Sequence, residues 1–63
     1  MKIKAKYDIF PYCIKGFIYD VVTDERTIIK FGGIKPVEGE TWFIGNNGEA
    51  HFLYDTEFEV FEE

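Results

Sequence analysis

The chain has 63 residues, a formal net charge of −5, seven Phe, four Tyr, one Trp and a single cysteine. This length predicts one domain, residues 1–63, with little room for a substrate cleft beside a core, and one cysteine excludes an intramolecular disulfide. The lone cysteine and the lack of an apolar run long enough for a signal peptide or a membrane span predict a reducing, cytoplasmic location.

The charges are distributed unevenly along the chain. Residues 1–35 contain all seven Lys and Arg with four acids, whereas residues 36–63 contain eight acids and no Lys or Arg. Nucleic-acid binders need clustered cations, and the candidates are confined to one short strand, so direct DNA binding is not expected. The acidic half is either a solvated surface or an attractive field for a basic partner.

The first predicted element is a half-buried strand over residues 2–9, where apolar and polar side chains alternate strictly. Its row of lysines (Lys2, Lys4 and Lys6) is typical of an edge strand, because charge discourages pairing with another chain. Pro11 then removes a backbone donor and predicts a loop over residues 10–16.

Two β-rich runs follow, Phe17 to Val22 and Thr27 to Phe31, separated by four polar residues. They predict a hairpin with a four-residue loop. Gly32-Gly33 lacks the spacing of a phosphate-binding loop and indicates a chain reversal or a bulge.

A central hairpin is predicted around Asn47-Gly48, a dipeptide that suits a type I′ turn. A two-residue loop sets the register, and the expected pairs are Ile44 with His51, Phe43 with Phe52, and Trp42 with Leu53. Both faces of this hairpin are then apolar. It must therefore lie between two layers or present one face to a partner chain.

Residues 54–57 indicate a single helical turn, and Phe58 to Phe61 a closing strand with Phe58 and Val60 inward. These six strand-like segments predict an all-β fold with no substantial helix, for which a small barrel of five strands is the expected architecture. The expected core, with Trp42 at its margin, is Ile3, Ala5, Tyr7, Ile9, Tyr19, Val21, Ile29, Ile44, Leu53, Phe58 and Val60.

A family resemblance rests on four short motifs: Ala5-Lys6-Tyr7-Asp8, Trp42-Phe43, Asn47-Gly48-Glu49 and Phe58-Glu59-Val60. In this order they resemble a small SH3-like barrel, and the later motifs, with Gly39 and Tyr54, look like small SH3-like proteins encoded by bacterial phages. An OB-like barrel is the alternative architecture. No Pro precedes the closing turn and Gly39 is only three residues from Trp42, which weighs against binding of proline-rich peptides.

Candidates for catalysis are few. Cys13 and His51 are the only Cys and His, there is no Ser, and no oxyanion motif accompanies them. One His with scattered carboxylates also lacks the ligand set of a zinc site. The sequence predicts a protein that is not an enzyme and has no metal or cofactor.

The favoured function is a protein-binding module with a basic partner, plausible as a phage-derived regulator or inhibitor that mimics nucleic acid through acids spaced along a strand. The predicted partner-binding residues are Trp42, Tyr54, Asp55, Glu57, Glu59, Glu62 and Glu63. One alternative is a single-strand nucleic-acid binder that stacks bases on Tyr12, Trp42 or Tyr54. Another is a homodimer or larger homo-oligomer that associates through Phe43, Phe52 and Tyr54.

Overall fold

The computed structural model describes residues 1–61, so the predicted roles of Glu62 and Glu63 lie outside the described residues. The elements are β1 (Lys2–Ala5), β2 (Ile18–Asp20), α1 (Glu25–Lys30), β3 (Thr41–Ile44), β4 (Ala50–Leu53), a 3₁₀ turn (Asp55–Glu57) and β5 (Phe58–Phe61). An all-β fold without a substantial helix is confirmed. The closing turn and closing strand are also found where they were predicted.

Within the described residues, the five strands form two antiparallel sheets. One has the order β2-β1-β5 and the other pairs β3 with β4. A bridge between Val21 and Phe43 joins the sheets, supported by the Val22 N–H, which donates to the Trp42 carbonyl at 2.9 Å. β1 is therefore a central strand, and the prediction of an edge strand was wrong because β5 returns to cover its second side.

The second predicted hairpin is absent from the described residues, since α1 occupies most of its second strand. Asp24 caps the helix: its carboxylate accepts from the Thr27 N–H at 3.2 Å and the Thr27 hydroxyl at 2.7 Å. Glu25 in the first turn and Lys30 in the last suit the helix dipole. These local interactions outweigh the β-propensity of the apolar residues that follow.

The central hairpin exists, but its register is shifted by one residue. Trp42 pairs with Phe52 and Phe43 with His51. The loop has three residues rather than two: the Gly48 N–H donates to the Gly45 carbonyl at 3.0 Å, and Gly48 alone in the loop has a positive φ, 80°. This is a type I turn followed by a left-handed glycine, so the predicted type I′ turn was wrong.

Apolar residues pack on both faces of this hairpin. The main core consists of Ile3, Ala5, Cys13, Tyr19, Phe43, Leu53 and Phe58. The helix-side core consists of Ile28, Trp42 and Ala50, with Val22, Ile44 and Phe52 packed against it. The hairpin thus lies between two layers, which was the first of the two predicted arrangements.

The predicted core was right in part. Ile3, Ala5, Tyr19, Leu53 and Phe58 are buried, and Ile9, Val21 and Ile44 pack partly buried against the two cores.

Three predicted core residues are exposed: Tyr7, Ile29 and Val60. Tyr7 lies beyond the end of β1, and Val60 is on β5, which forms an edge of its sheet. The helix turns Ile28 inward in place of Ile29.

Candidate functional site

A loop between β1 and β2 is fixed against the turn of the central hairpin. The Tyr12 N–H donates to the Ile9 carbonyl at 2.7 Å, and Ile9 forms an isolated bridge with Cys13. The Tyr12 carbonyl accepts from the Asn46 N–H at 2.8 Å. The loop therefore holds Tyr12 against the β3-β4 hairpin.

Four rings form a continuous series that crosses β4 from the main-core face of the hairpin to the helix-side face, here called the aromatic row: Tyr12, His51, Phe52 and Tyr54. Tyr12 stacks on His51 with ring centroids 4.0 Å apart and planes at 5°. Phe52 lies 5.6 Å from His51 and contacts Tyr54 edge-on at 5.5 Å. Such contacts contribute roughly 0.5–1.5 kcal/mol per pair beyond buried area, so each ring positions the next.

The aromatic row ends at a turn that carries two carboxylates. Tyr54 precedes this turn and is 52% exposed. Its N–H donates to the Glu57 carboxylate at 2.8 Å, and the Glu57 N–H donates to the Tyr54 carbonyl at 2.8 Å. The exposed Asp55 lies in the same turn. The turn thus places an accessible ring beside negative charge.

Trp42 is not exposed on the open surface, and its predicted role in partner binding stays a prediction. It is only 4% exposed, and its indole N–H donates to the Glu40 carboxylate at 3.2 Å. The one-residue shift in register places Trp42 in the helix-side core, which is why the sequence-based interpretation misplaced it. Of the three rings proposed to stack bases, Trp42 is buried, Tyr12 has one face stacked on His51, and Tyr54 is the most exposed.

Among the described residues, the predicted acidic side chains Glu57 and Glu59 do not lie on one strand edge. Glu57 ends the 3₁₀ turn and uses its carboxylate to cap it, whereas Glu59 on β5 pairs across the sheet with Lys4. The spacing of alternate strand residues therefore does not apply to Glu57 and Glu59. Mimicry of a phosphate backbone by these two carboxylates therefore has no support from strand spacing.

Phe43 is separated from the other two residues predicted to mediate self-association, Phe52 and Tyr54, whose rings contact each other. Phe43 is fully buried in the main core, Phe52 packs on the opposite side against the helix-side core, and Tyr54 follows the end of β4. The predicted apolar face that joined all three is not formed. Self-association stays a prediction, with Phe43 unable to contribute.

The two chemically reactive side chains are in apolar surroundings. Burial raises the pKa of the Cys13 thiol, whose sulfur donates to the Tyr7 carbonyl at 3.5 Å, and this is opposite to the shift that activates a nucleophile. Burial also lowers the pKa of His51, and the nearby Glu57 carboxylate opposes that shift. In residues 1–61, no group of three His, Cys, Asp or Glu side chains is placed to hold a metal ion.

His51 should make stability depend on pH. The pKa of His51 in the folded protein lies below its ordinary value of 6.5. The contribution of neutral His51 to stability is therefore fully present above pH 6.5 and is lost as pH falls through the folded pKa. We expect urea midpoints of the wild type to decrease between pH 7.5 and 5.5, and those of H51F to decrease less, since phenylalanine keeps the stack without titrating. Equal decreases in both proteins would contradict this assignment.

No helix in the described part of the chain has both the length and the apolar character needed to span a membrane. Comparison of the chain with protein-family models, with curated proteins and with solved structures found no match in any of the three.

Proposed function

We propose that this protein is a small, acidic, non-catalytic binding module that recognises a basic protein surface in the cytoplasm. The observation that carries this proposal is the end of the aromatic row, where the exposed Tyr54 ring is supported edge-on by Phe52 and flanked by Asp55 and Glu57. A supported aromatic ring beside carboxylates is the arrangement that an arginine side chain recognises best.

The physical basis is the dual character of the guanidinium group. Its planar face stacks on an aromatic ring, and its N–H groups donate in pairs to a carboxylate. Asp55 supplies such a carboxylate, since its side chain is exposed and makes no hydrogen bond within residues 1–61. Glu57 adds negative potential from its fixed position in the cap.

We further infer that the two sheets form a small SH3-like barrel of the kind found in phage regulators and inhibitors. The support is the continuous strand order β5-β1-β2-β3-β4, in which the bridge from Val21 to Phe43 connects the sheets. The sequence motifs described above have the same order.

The test is affinity capture from a lysate of the organism that encodes the protein, with the double variant Y54A/D55N. We expect at least a tenfold loss of the specifically captured protein, about 1.4 kcal/mol, because a stacked ring and a charge pair are removed together. Wild-type capture should also weaken when salt rises from about 50 to 300 mM.

The matched control is Y7A/E38Q, which removes one exposed tyrosine ring and one exposed carboxylate elsewhere on the surface. It should capture as much as the wild type. Equal losses of captured protein from the two double variants would show that net charge and nonspecific aromatic contacts, rather than this turn, determine binding. Glu57 is left unchanged because its carboxylate caps the turn.

A further inference from the structure

A second candidate site lies on the helix side of the central hairpin, with a lining that does not include Tyr54. It is a cleft of about 330 Å³ between the end of β2, the helix and β3. Its apolar lining includes Val21, Val22, Ile28, Pro36 and the indole of Trp42. The volume lies at the lower end of the range for ligand sites, which suits a single apolar side chain.

One carboxylate belongs to the lining of this cleft. Glu40 is half-buried, and its Oε1 atom accepts from the Val37 N–H at 3.0 Å and from the Trp42 indole N–H at 3.2 Å. Both bonds involve the same oxygen, and within residues 1–61 no hydrogen bond reaches Oε2. The negative charge is therefore held in place with one oxygen available to a ligand.

The lining contains no Lys, Arg or His side chain, and the α-ammonium of Met1, which also lines the cleft, forms no ion pair with Glu40 within residues 1–61. A carboxylate that is oriented by internal donors and partly removed from water attracts a cation more strongly than a mobile surface carboxylate does. The site therefore combines apolar walls with one directed negative charge.

We propose that this cleft binds a partner segment that inserts one aliphatic or aromatic side chain between Val22, Ile28 and Trp42 and pairs an adjacent lysine or arginine with Glu40. Two properties of the cleft determine the chemistry of this segment. Apolar walls favour burial of the inserted side chain, and the free carboxylate oxygen selects a basic residue next to it. The proposal goes beyond the binding surface at Tyr54, because none of its residues belongs to that surface.

The direct test uses short peptides and the only tryptophan of the chain. The probes are acetyl-Lys-Leu-Lys-amide, acetyl-Lys-Ala-Lys-amide and acetyl-Glu-Leu-Glu-amide, titrated against ¹⁵N-labelled protein. The Trp42 indole N–H resonance reports on both features, since the ring lines the cleft and the N–H bonds Glu40. We expect saturable shifts with the first peptide, at least tenfold weaker binding of the alanine peptide, and weaker binding of the acidic peptide.

Two charge variants separate directed pairing from the general acidity of the protein. In E40Q the amide oxygen still accepts from Val37 and Trp42, so the fold is retained, and affinity for the lysine-leucine peptide should fall about fivefold. E38Q removes the same charge two residues away and should change affinity less than twofold.

Three results would overturn the proposal. They are equal binding of the leucine and alanine peptides, equal effects of E38Q and E40Q, and the absence of shifts at Trp42 in the wild type. Shifts confined to Tyr54 and His51 would reject the cleft while leaving the proposed function at Tyr54 intact. Because the peptide comparisons use the wild-type chain, no failure of a variant to fold obscures them.

Discussion

Replacing Phe43 by alanine is expected to remove a large share of the protein's stability. Phe43 has no solvent exposure, and its ring lies 5.0 Å from that of Tyr19 and 6.1 Å edge-on from that of His51. Truncation of a buried phenylalanine costs about 3–5 kcal/mol, whereas a domain of this size has roughly 3–9 kcal/mol in total. The backbone bridge to Val21 that joins the two sheets is at the same residue.

The matched control is F10A, because Phe10 is 94% exposed and the chemical change is identical. It should change the free energy of unfolding by no more than about 0.5 kcal/mol. Urea unfolding followed by circular dichroism measures both variants. An F43A protein no less stable than F10A would contradict the burial of Phe43 in the main core.

Replacing Gly33 by alanine should also be strongly destabilising, for steric reasons. A Cβ atom at this position would lie 2.5 Å from Ile28 Cγ2, 2.7 Å from Trp42 Cζ3 and 2.8 Å from the Ile28 carbonyl oxygen. The chain following α1 passes directly over the helix-side core, so helix and tryptophan would both have to move. Overpacking of this kind costs about 1–3 kcal/mol, and the backbone contact places G33A toward the upper end.

G39A separates this steric effect from loss of glycine flexibility. Gly39 has a φ of 91°, but a Cβ atom there would meet nothing within 4 Å. Its replacement should cost about 1 kcal/mol through backbone strain alone. Urea midpoints of the two variants give the comparison, and a G33A protein as stable as G39A would be incompatible with close packing at Gly33.

Where local signals agreed, the sequence was sufficient to predict structure. The strand predicted over residues 2–9 is found over Lys2–Ala5, with Ile3 and Ala5 inward as predicted, and the last strand was predicted with its bounds. The closing turn was predicted because short polar residues precede a β-rich run. In these segments periodicity and turn chemistry indicate the same conformation.

Two errors arose where a single local interaction decided between alternatives. Thr27 to Phe31 has strand-like composition, but the cap from Asp24 satisfies helix N-terminal donors and is visible in sequence only as one acidic residue. The Asn47-Gly48 dipeptide fits both a two-residue and a three-residue loop. Choosing the shorter loop shifted the register by one residue.

The candidate site was predicted only in part. Tyr54 and Asp55 are exposed as expected, because polar and aromatic residues at a turn after a strand remain at the surface. Trp42 was misplaced by the register error. The stack of Tyr12 on His51 depends on a loop docking against a distant hairpin, and neither periodicity nor spacing in one sequence encodes such a contact.

The position of the central hairpin between two apolar layers affects how reliably the chain finds its register during folding. A slipped strand is normally rejected because it exposes apolar side chains and buries polar ones. Here a slip by one residue would exchange Trp42 and Phe43 between two apolar environments, so solvation penalises the error only weakly. The native register must therefore be favoured over the slipped one by the different shapes of the two rings and by Gly48, the residue of positive φ that closes the three-residue loop. We therefore expect misregistered hairpins to form more readily in this small domain than in one with a single apolar face on its hairpin.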